Sequence, residues 1–276
     1  MRIAFLGPAG TFTEEALRAS RPDGDHDCEP HPTVEEVVLA VHDGRADRGV
    51  VPIENSLEGG VAATLDALAS DATDVRILSE VVHPVTHCLI AAREIGLAGV
   101  TRVHSHPQAL AQCGRFLRER LPGAERGLTS STAEAVRMVA GGSGSEAAVG
   151  ARLSAEIYGA VVLAEGIEDR DDNLTRFVWL AAEGTPPPAP PTKTSIVFWG
   201  FNDVSPGALV AVLSELSDRE INLTKIESRP RRVRLGHYMF FADLDGGADE
   251  PNVAEALAAL GSRVETLRVL GSYPAA

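Results

Sequence analysis

Lysine is nearly absent from this sequence. Of 25 basic residues in 276, only Lys193 and Lys225 are lysines, so the first 192 positions hold none. That stretch therefore contains no Schiff-base lysine, no Walker lysine and no kinase-type ATP lysine. Any anion bound there must be held by arginine, hydroxyls or helix N-termini. Cysteine is scarce as well. Cys28, Cys88 and Cys113 are odd in number and lack CxxC spacing, which argues against a disulfide framework or a thiolate zinc site and fits a reducing compartment. No apolar run approaches the roughly 18 residues of a spanning helix. The sequence opens on strand-like residues 2–6 without a basic segment and apolar run, so a cytoplasmic protein is expected. GxGxxG, GxSxG and HExxH are all missing, which leaves dinucleotide enzymes, serine hydrolases and zincins without support.

What the sequence has in excess is acid. A net charge of −14 argues against duplex nucleic acid or an anionic membrane as the main partner. At about 150 residues per domain, the length suggests two domains with cores that need no disulfide. Five of the 17 prolines fall within 186–191, which marks 183–192 as a stiff linker. Sixteen basic and 28 acidic residues precede residue 193, against nine and 11 from there on, so most of the acidity sits on the larger part.

Before the linker, short apolar runs alternate with amphipathic stretches. Strands are expected at 3–6, 49–53, around Val103, at 147–149 and at 161–164. Helices are expected from about Phe12, over 34–42, after Gly60, from Pro107, from Thr132 and over 152–158. This alternation predicts an α/β fold. The run 77–90 interrupts it and is read as one long strand that carries the chain from one lobe to a second, with 174–181 as the return. The expected domain over 1–182 has one lobe at about 1–78 and 162–182, another at about 79–161, and a ligand cleft between them. After the linker the order becomes strand 195–201, helix 207–219, strands 222–227 and 236–244, helix 252–260 and strand 264–270. This βαββαβ order over 193–276 is ferredoxin-like, a pattern that hosts many functions.

Three expected helix starts carry the S/T-x-x-E capping box: Thr11 with Glu14, Thr33 with Glu36 and Ser131 with Glu134. Ordinary capping accounts for Thr33. Thr11 differs because Gly7-Pro8-Ala9-Gly10 precedes it directly after a strand, where α/β sheets place ligands and free amides attract anions. Ser131-Thr132 and Ser105-His106-Pro107 repeat the arrangement. Each terminus favours an anion by about 0.3–1 kcal/mol, so several around one cleft hold a small polyanion without lysine. Pro52-Ile53-Glu54-Asn55-Ser56 closes an apolar strand with three polar side chains, which turn chemistry alone also explains. Asp172-Asn173-Leu174-Thr175-Arg176-Phe177 brings a hydroxyl and a guanidinium to a strand entry, where arginine either grips a carboxylate or stands in solvent. His83 with His87, and His104 with His106, invite a metal reading. The β-branched surroundings of the first pair make it a strand, which separates the two by about 13 Å, and no metal site is expected.

Taken in order, Gly7-Pro8-Ala9-Gly10-Thr11-Phe12-Thr13-Glu14, Pro52-Ile53-Glu54-Asn55-Ser56, Ser105-His106-Pro107-Gln108 with Gln112-Cys113, Ser131-Thr132-Ala133 and Asp172-Asn173-Leu174-Thr175-Arg176-Phe177 resemble prephenate dehydratase. Pro206-Gly207-Ala208-Leu209 and Asn222-Leu223-Thr224-Lys225-Ile226-Glu227-Ser228-Arg229-Pro230 resemble the regulatory ACT domain of that family. The resemblance spans nearly the whole chain. It implies a catalytic domain like a type 2 periplasmic binding protein over 1–182 and an ACT domain over 193–276. It further implies a cofactor-free conversion of prephenate to phenylpyruvate in phenylalanine biosynthesis.

By the same resemblance Thr175 donates to the leaving oxygen, and Glu54, Asn55, Ser105 and Gln112 complete the catalytic set. Thr11, Ser56, Ser131, Thr132, Arg176 and Phe177 are the expected substrate contacts, with Arg176 on the pyruvyl carboxylate. Glu54, repelled by a dianion, is expected either to carry a proton or to orient Thr175 or Asn55. The implied effector is L-phenylalanine, bound between paired ACT domains of a homodimer or homotetramer. Its expected contacts are Gly207, Ala208, Leu209, Asn222, Leu223, Glu227, Ser228, Arg229 and Pro230; a plain strand-end turn is the alternative for 227–230. The run Arg229, Arg231, Arg232, Arg234 is read as a solvated or subunit-contact face. An arogenate dehydratase would share every motif, and a non-catalytic sensor would keep the ACT domain. A solute-binding receptor would share the fold but should carry an export signal.

Overall fold

The computed structural model describes residues 1–70, 72–142, 144–201 and 205–276. The chain begins with β1 (Arg2–Leu6), α1 (Phe12–Ser20), β2 (Asp27–His31), α2 (Val34–His42), β3 (Arg48–Asn55), the short β4 (Gly59–Gly60), α3 (Ala62–Ser70) and β5 (Val75–Pro84). It continues through β6 (Cys88–Ala91), β7 (Arg102–Ser105), α4 (Pro107–Gln112), α5 (Gly114–Arg120), β8 (Glu125–Leu128) and α6 (Thr132–Ala140). Then come β9 (Glu146–Gly150), α7 (Arg152–Tyr158), β10 (Val161–Glu165) and β11 (Leu174–Ala182). One sheet runs β2-β1-β3-β11-β5 with β4 on β3, and a second runs β10-β6-β9-β7-β8.

The five-stranded sheet is apolar on both faces because its strands alternate between two helical layers. Leu89 of β6 and Ala147 and Val149 of β9 pack with Ala109, Leu117 and Leu121 of the 107–121 region. Their neighbours Cys88, Ile90 and Ala148 point the other way, onto Ala135, Val136, Val139 and Ala155 of α6 and α7.

The run 77–90 is not one strand. It breaks after Pro84, whose ring cannot donate to a ladder, and resumes at Cys88 in the other sheet. His83 therefore lies next to the end of β5, before Pro84, and His87 precedes β6, so the two do not share a strand as expected. The helix from Pro107 likewise breaks at Cys113 into α4 and α5. The five-stranded sheet extends through β10 to Glu165, beyond residue 161 where the second lobe was expected to end. Strands β2 and β8 were not anticipated. Both are sheet edges, where charge and proline are tolerated, so Asp27-Cys28-Glu29-Pro30-His31 carries no strand periodicity.

The remaining elements are β12 (Lys193–Trp199), α8 (Ala208–Ser217), β13 (Leu223–Pro230), β14 (Tyr238–Asp245), α9 (Pro251–Arg263) and β15 (Thr266–Tyr273). Their sheet order β13-β14-β12-β15 is ferredoxin-like and antiparallel throughout. Ile196, Phe198, Ala242 and Leu244 meet Val212 and Leu216 of α8 and Val253, Ala256 and Leu260 of α9.

Contact density divides the chain into two compact units. One comprises Met1–Val37, Val50–Gly59 and Val82–Phe177, and the other Val38–Gly49, Gly60–Val81 and Val178–Ala276. Within the second unit, Arg268 caps the last carbonyls of α3 at Ala69 (2.6 Å) and Leu68 (3.1 Å). Lys193 pairs with the buried Glu80 at 2.5 Å, and Lys225 lies 3.5 Å from Glu227. Both lysines thus serve ion pairs.

Burial pushes the Cys88 thiol up to about 11 and raises Cys113 further; the half-buried Cys28 is raised as well. A raised value means a protonated, unreactive thiol at mildly basic pH. A thiol reagent is expected to label Cys28 slowly and Cys88 and Cys113 only on unfolding. Fast labelling of two thiols in the folded protein would contradict that burial.

Candidate active site

In the first unit a cavity of about 250 Å³ opens among the ends of β1, β3 and β11, the segment between β5 and β6, and the starts of α1 and α6. Its wall includes Thr11, Phe12, Asn55, His87, His106, Gln108, Gln112, Ser131, Thr132, Asn173, Thr175 and Phe177. None of its described lining residues is Asp, Glu, Lys or Arg. The strong negative charge of the chain therefore stays off this wall. Thr11 caps α1, accepting from Glu14 N–H while donating to the Leu6 carbonyl, and Ser131 caps α6 through Glu134 N–H. Two helix starts thus face an uncharged cavity, an arrangement that favours an anion.

A chain of amides crosses the wall. Asn55 Oδ1 accepts from the N–H groups of Leu57 and Glu58 at 3.0 and 3.1 Å, which commits its Nδ2 to donating. Nδ2 donates to Thr175 Oγ1 at 2.9 Å and to Asn173 Oδ1 at 2.8 Å. Asn173 Nδ2 then donates to Gln112 Oε1 at 3.2 Å. His87 Nε2 approaches the same oxygen at 3.1 Å, and burial holds the His87 pKa below its ordinary value. Thr175, 7% exposed, receives one hydrogen bond on its oxygen and donates to none of the described residues, so its own hydrogen is left for a ligand.

The chain is similar to known proteins over nearly its whole length. The family model for prephenate dehydratase matches residues 3–185, and that for the ACT domain matches 195–262. The chain belongs to the prephenate dehydratase family. It is 44% identical over 285 residues to a prephenate dehydratase of Mycobacterium sp. strain JLS, covering 99% of this chain and 89% of that protein. Among solved structures, a prephenate dehydratase from Arthrobacter aurescens in complex with L-Phe aligns with a TM-score of 0.90 and 40% identity, over 99% of this chain and 90% of that one. A structure described as GqqA, a quorum-quenching acylase, aligns with a TM-score of 0.88 and 33% identity, over 100% and 98%.

Of the residues expected from the resemblance to prephenate dehydratase, Thr11, Asn55, Gln112, Ser131, Thr132, Thr175 and Phe177 meet at the cavity. Four do not. Thr175 and Phe177 project from one face of β11, so Arg176 between them projects from the other, where it pairs with Glu54 at 2.9 Å. Ser56 Oγ clasps the 172–174 segment, donating to Asp172 O and accepting from Leu174 N–H. Ser105 is fully buried and donates to the Val149 carbonyl at 2.7 Å. Phe12, His87, His106, Gln108 and Asn173 also line the cavity and were not expected in the site. Phe12, His106, Gln108 and Asn173 lie inside quoted motifs, whereas His87 was assigned to the strand reading.

The ACT part offers a separate cavity of about 440 Å³ at the start of α8, where Gly207, Ala208 and Leu209 meet Tyr238 and Phe240. Gly207 has φ +80° and caps α8, a conformation that glycine adopts without strain. Two of the other expected effector residues have partners outside this cavity. The Glu227 carboxylate packs on the Cα of Gly60, and Arg229 grips Asp66 of α3 with two bonds at 2.7 and 2.8 Å. Arg232 adds a third bond to Asp66 at 2.7 Å, and Arg231 lies over Trp199 at 5.1 Å. The arginine run is therefore not a solvated face throughout, since two of its members are neutralised on α3.

Proposed function

We propose that this enzyme converts prephenate to phenylpyruvate, and that the observation carrying this reading is the unspent Thr175 hydrogen. Prephenate holds two carboxylates and a leaving hydroxyl on a ring that becomes aromatic, so the driving force lies in the substrate and orientation is the enzyme's main task. The ring C–O bond breaks as Thr175 donates to the departing oxygen, which leaves as water. Electrons of the ring C–carboxylate bond fill the aromatic system, carbon dioxide departs, and solvent restores the threonine proton. An uncharged wall suits this chemistry. A cation on the carboxylate that must leave as neutral carbon dioxide would stabilise the ground state more than the transition state. The pyruvyl carboxylate then faces the starts of α1 and α6.

The Glu54–Arg176 pair serves this reading as support beneath Asn55 and Thr175 rather than as a direct grip. Arg176→Met is expected to impair turnover by taking the guanidinium away from a partly buried carboxylate, and Arg176→Met with Glu54→Gln to recover part of the loss. A double variant worse than Arg176→Met alone would return Glu54 to proton transfer.

L-phenylalanine is the proposed effector, seated with its carboxylate at the start of α8, in a cytoplasmic homodimer or homotetramer. Arg229 and Asp66 link the regulatory strand β13 to α3. Asp66→Asn is expected to leave phenylalanine binding measurable by calorimetry while weakening its effect on turnover; an unchanged effect would remove that link.

The test of the whole reading offers purified protein prephenate and arogenate, with and without phenylalanine, and follows the aromatic product. Product from arogenate alone would make the chain an arogenate dehydratase, and phenylalanine binding with no product would make it a sensor. The likeness to GqqA raises acylase chemistry. That requires a hydroxyl or other nucleophile activated by a base, whereas Thr175 here receives an amide donor.

A further inference from the structure

The cavity wall contains a buried imidazole that the dehydration as described does not use. His87 is 2% exposed and is held through both sides of its backbone. Its N–H donates to Glu168 Oε2 at 2.8 Å, and its carbonyl accepts from Ile167 N–H at 3.2 Å. The Phe12 and His87 rings meet nearly at right angles with centroids 5.4 Å apart. His87 Nδ1 and Gln112 Nε2 are both buried and have no hydrogen-bond partner among the described residues.

Hydrogen-bond direction identifies each atom in turn. The N–H groups of Leu57 and Glu58 can only donate, so the atom of Asn55 that they reach is its oxygen. Asn55 Nδ2 then faces Asn173 Oδ1, and Asn173 Nδ2 faces Gln112 Oε1. An acceptor at Gln112 requires a proton on His87 Nε2. Burial outweighs the pull of Glu168 and Glu15 on the imidazole, which leaves it neutral with that single proton. Both lone pairs of Gln112 Oε1 are then engaged, and the amide NH₂ is the end left for a ligand.

We propose that His87 is a positioning residue for the dehydration: by donating from Nε2 to Gln112 Oε1, it holds the Gln112 amide with its NH₂ available to the substrate. The inference rests on the dehydratase reading of the cavity. Prephenate presents oxygens and carries two negative charges, so it needs donors. A Gln112 amide turned over would oppose oxygen to oxygen.

His87→Gln keeps an amide donor near the place of Nε2, and His87→Leu removes it. His87→Leu is expected to lower kcat about 10- to 100-fold, and His87→Gln to stay within about threefold of the wild type. In a Gln112→Ala background, His87→Leu should cost no more than about twofold, because the residue acts through Gln112. A wild-type kcat for His87→Leu, or the same loss in both backgrounds, would overturn the proposal. Nitrogen NMR of the full-length protein supplies a reading independent of turnover and of the leucine variant's folding. It should find His87 neutral, protonated at Nε2, at neutral pH. Protonation at Nδ1 would overturn the proposal whatever the substrate. The Nε2 tautomer in a protein that does not turn over prephenate would instead overturn the functional reading, and with it any role for His87 in dehydration.

Discussion

Thr175→Ala is expected to lower kcat by about 10²-fold while leaving KM within about threefold, and Thr175→Ser to recover part of the loss. The magnitude follows from what the hydroxyl does. Hydroxide is a poor leaving group and water a good one, so a proton supplied as the C–O bond breaks acts on the barrier rather than on binding. Asn55 makes the alcohol a better donor by giving a hydrogen bond to its oxygen. Serine retains the O–H but lacks the methyl group that limits its rotation, hence a partial recovery. Steady-state kinetics with prephenate decide the matter. An alanine variant with unimpaired kcat would remove Thr175 from the chemistry.

Asn55→Asp changes one atom and is expected to cost turnover about as much as losing Thr175. The new carboxylate still accepts from Leu57 and Glu58 N–H but has nothing to donate. Thr175 must then turn its O–H toward residue 55, which removes the proton from the leaving oxygen. Asn173 loses the donor to its Oδ1, and reversing its amide would set oxygen against Gln112 Oε1. The sign of the pH response follows. At residue 55 the new oxygen faces Asn173 Oδ1, an acceptor that only a protonated acid can meet, so its pKa is raised and the acid form donates again. Activity of Asn55→Asp is expected to rise relative to wild type as pH falls through that raised value. Combining Asn55→Asp with Thr175→Ala should cost little beyond either change alone. A pH-independent ratio, or additive losses, would separate Asn55 from Thr175.

Most of the architecture was legible because burial repeats with the period of the element. Residues 34–42 were expected as a helix and α2 spans Val34–His42, while the βαββαβ order after the linker matches the four-stranded sheet. The edge strands β2 and β8 were not legible, although the edge strands β10, β13 and β15 were. β2 and β8 need satisfy no apolar partner on their open side, so their residues carry no pattern. Pro84 was visible, but whether it ended a strand or merely sat on a sheet edge depended on which sheet the next residues joined.

The candidate site divides along the same line. By itself the sequence determined what kind of chemistry was open: with no lysine before residue 193, an anion had to be met by hydroxyls, amides, helix starts or arginine, and the motif string named the family. Only the tertiary structure decided which of those groups face the cavity. Arg176 and Thr175 are adjacent in sequence, and strand alternation sends them to opposite faces, so the arginine expected to grip the substrate instead neutralises Glu54. His87 lay in a run that read as strand, and it became part of the wall because the segment between two sheets carries it against Gln112. The physical reason is that hydrogen bonds are directional and join residues far apart in the chain. Asn55, Asn173, Thr175, Gln112 and His87 orient one another over separations of up to 120 positions, and no local pattern records that.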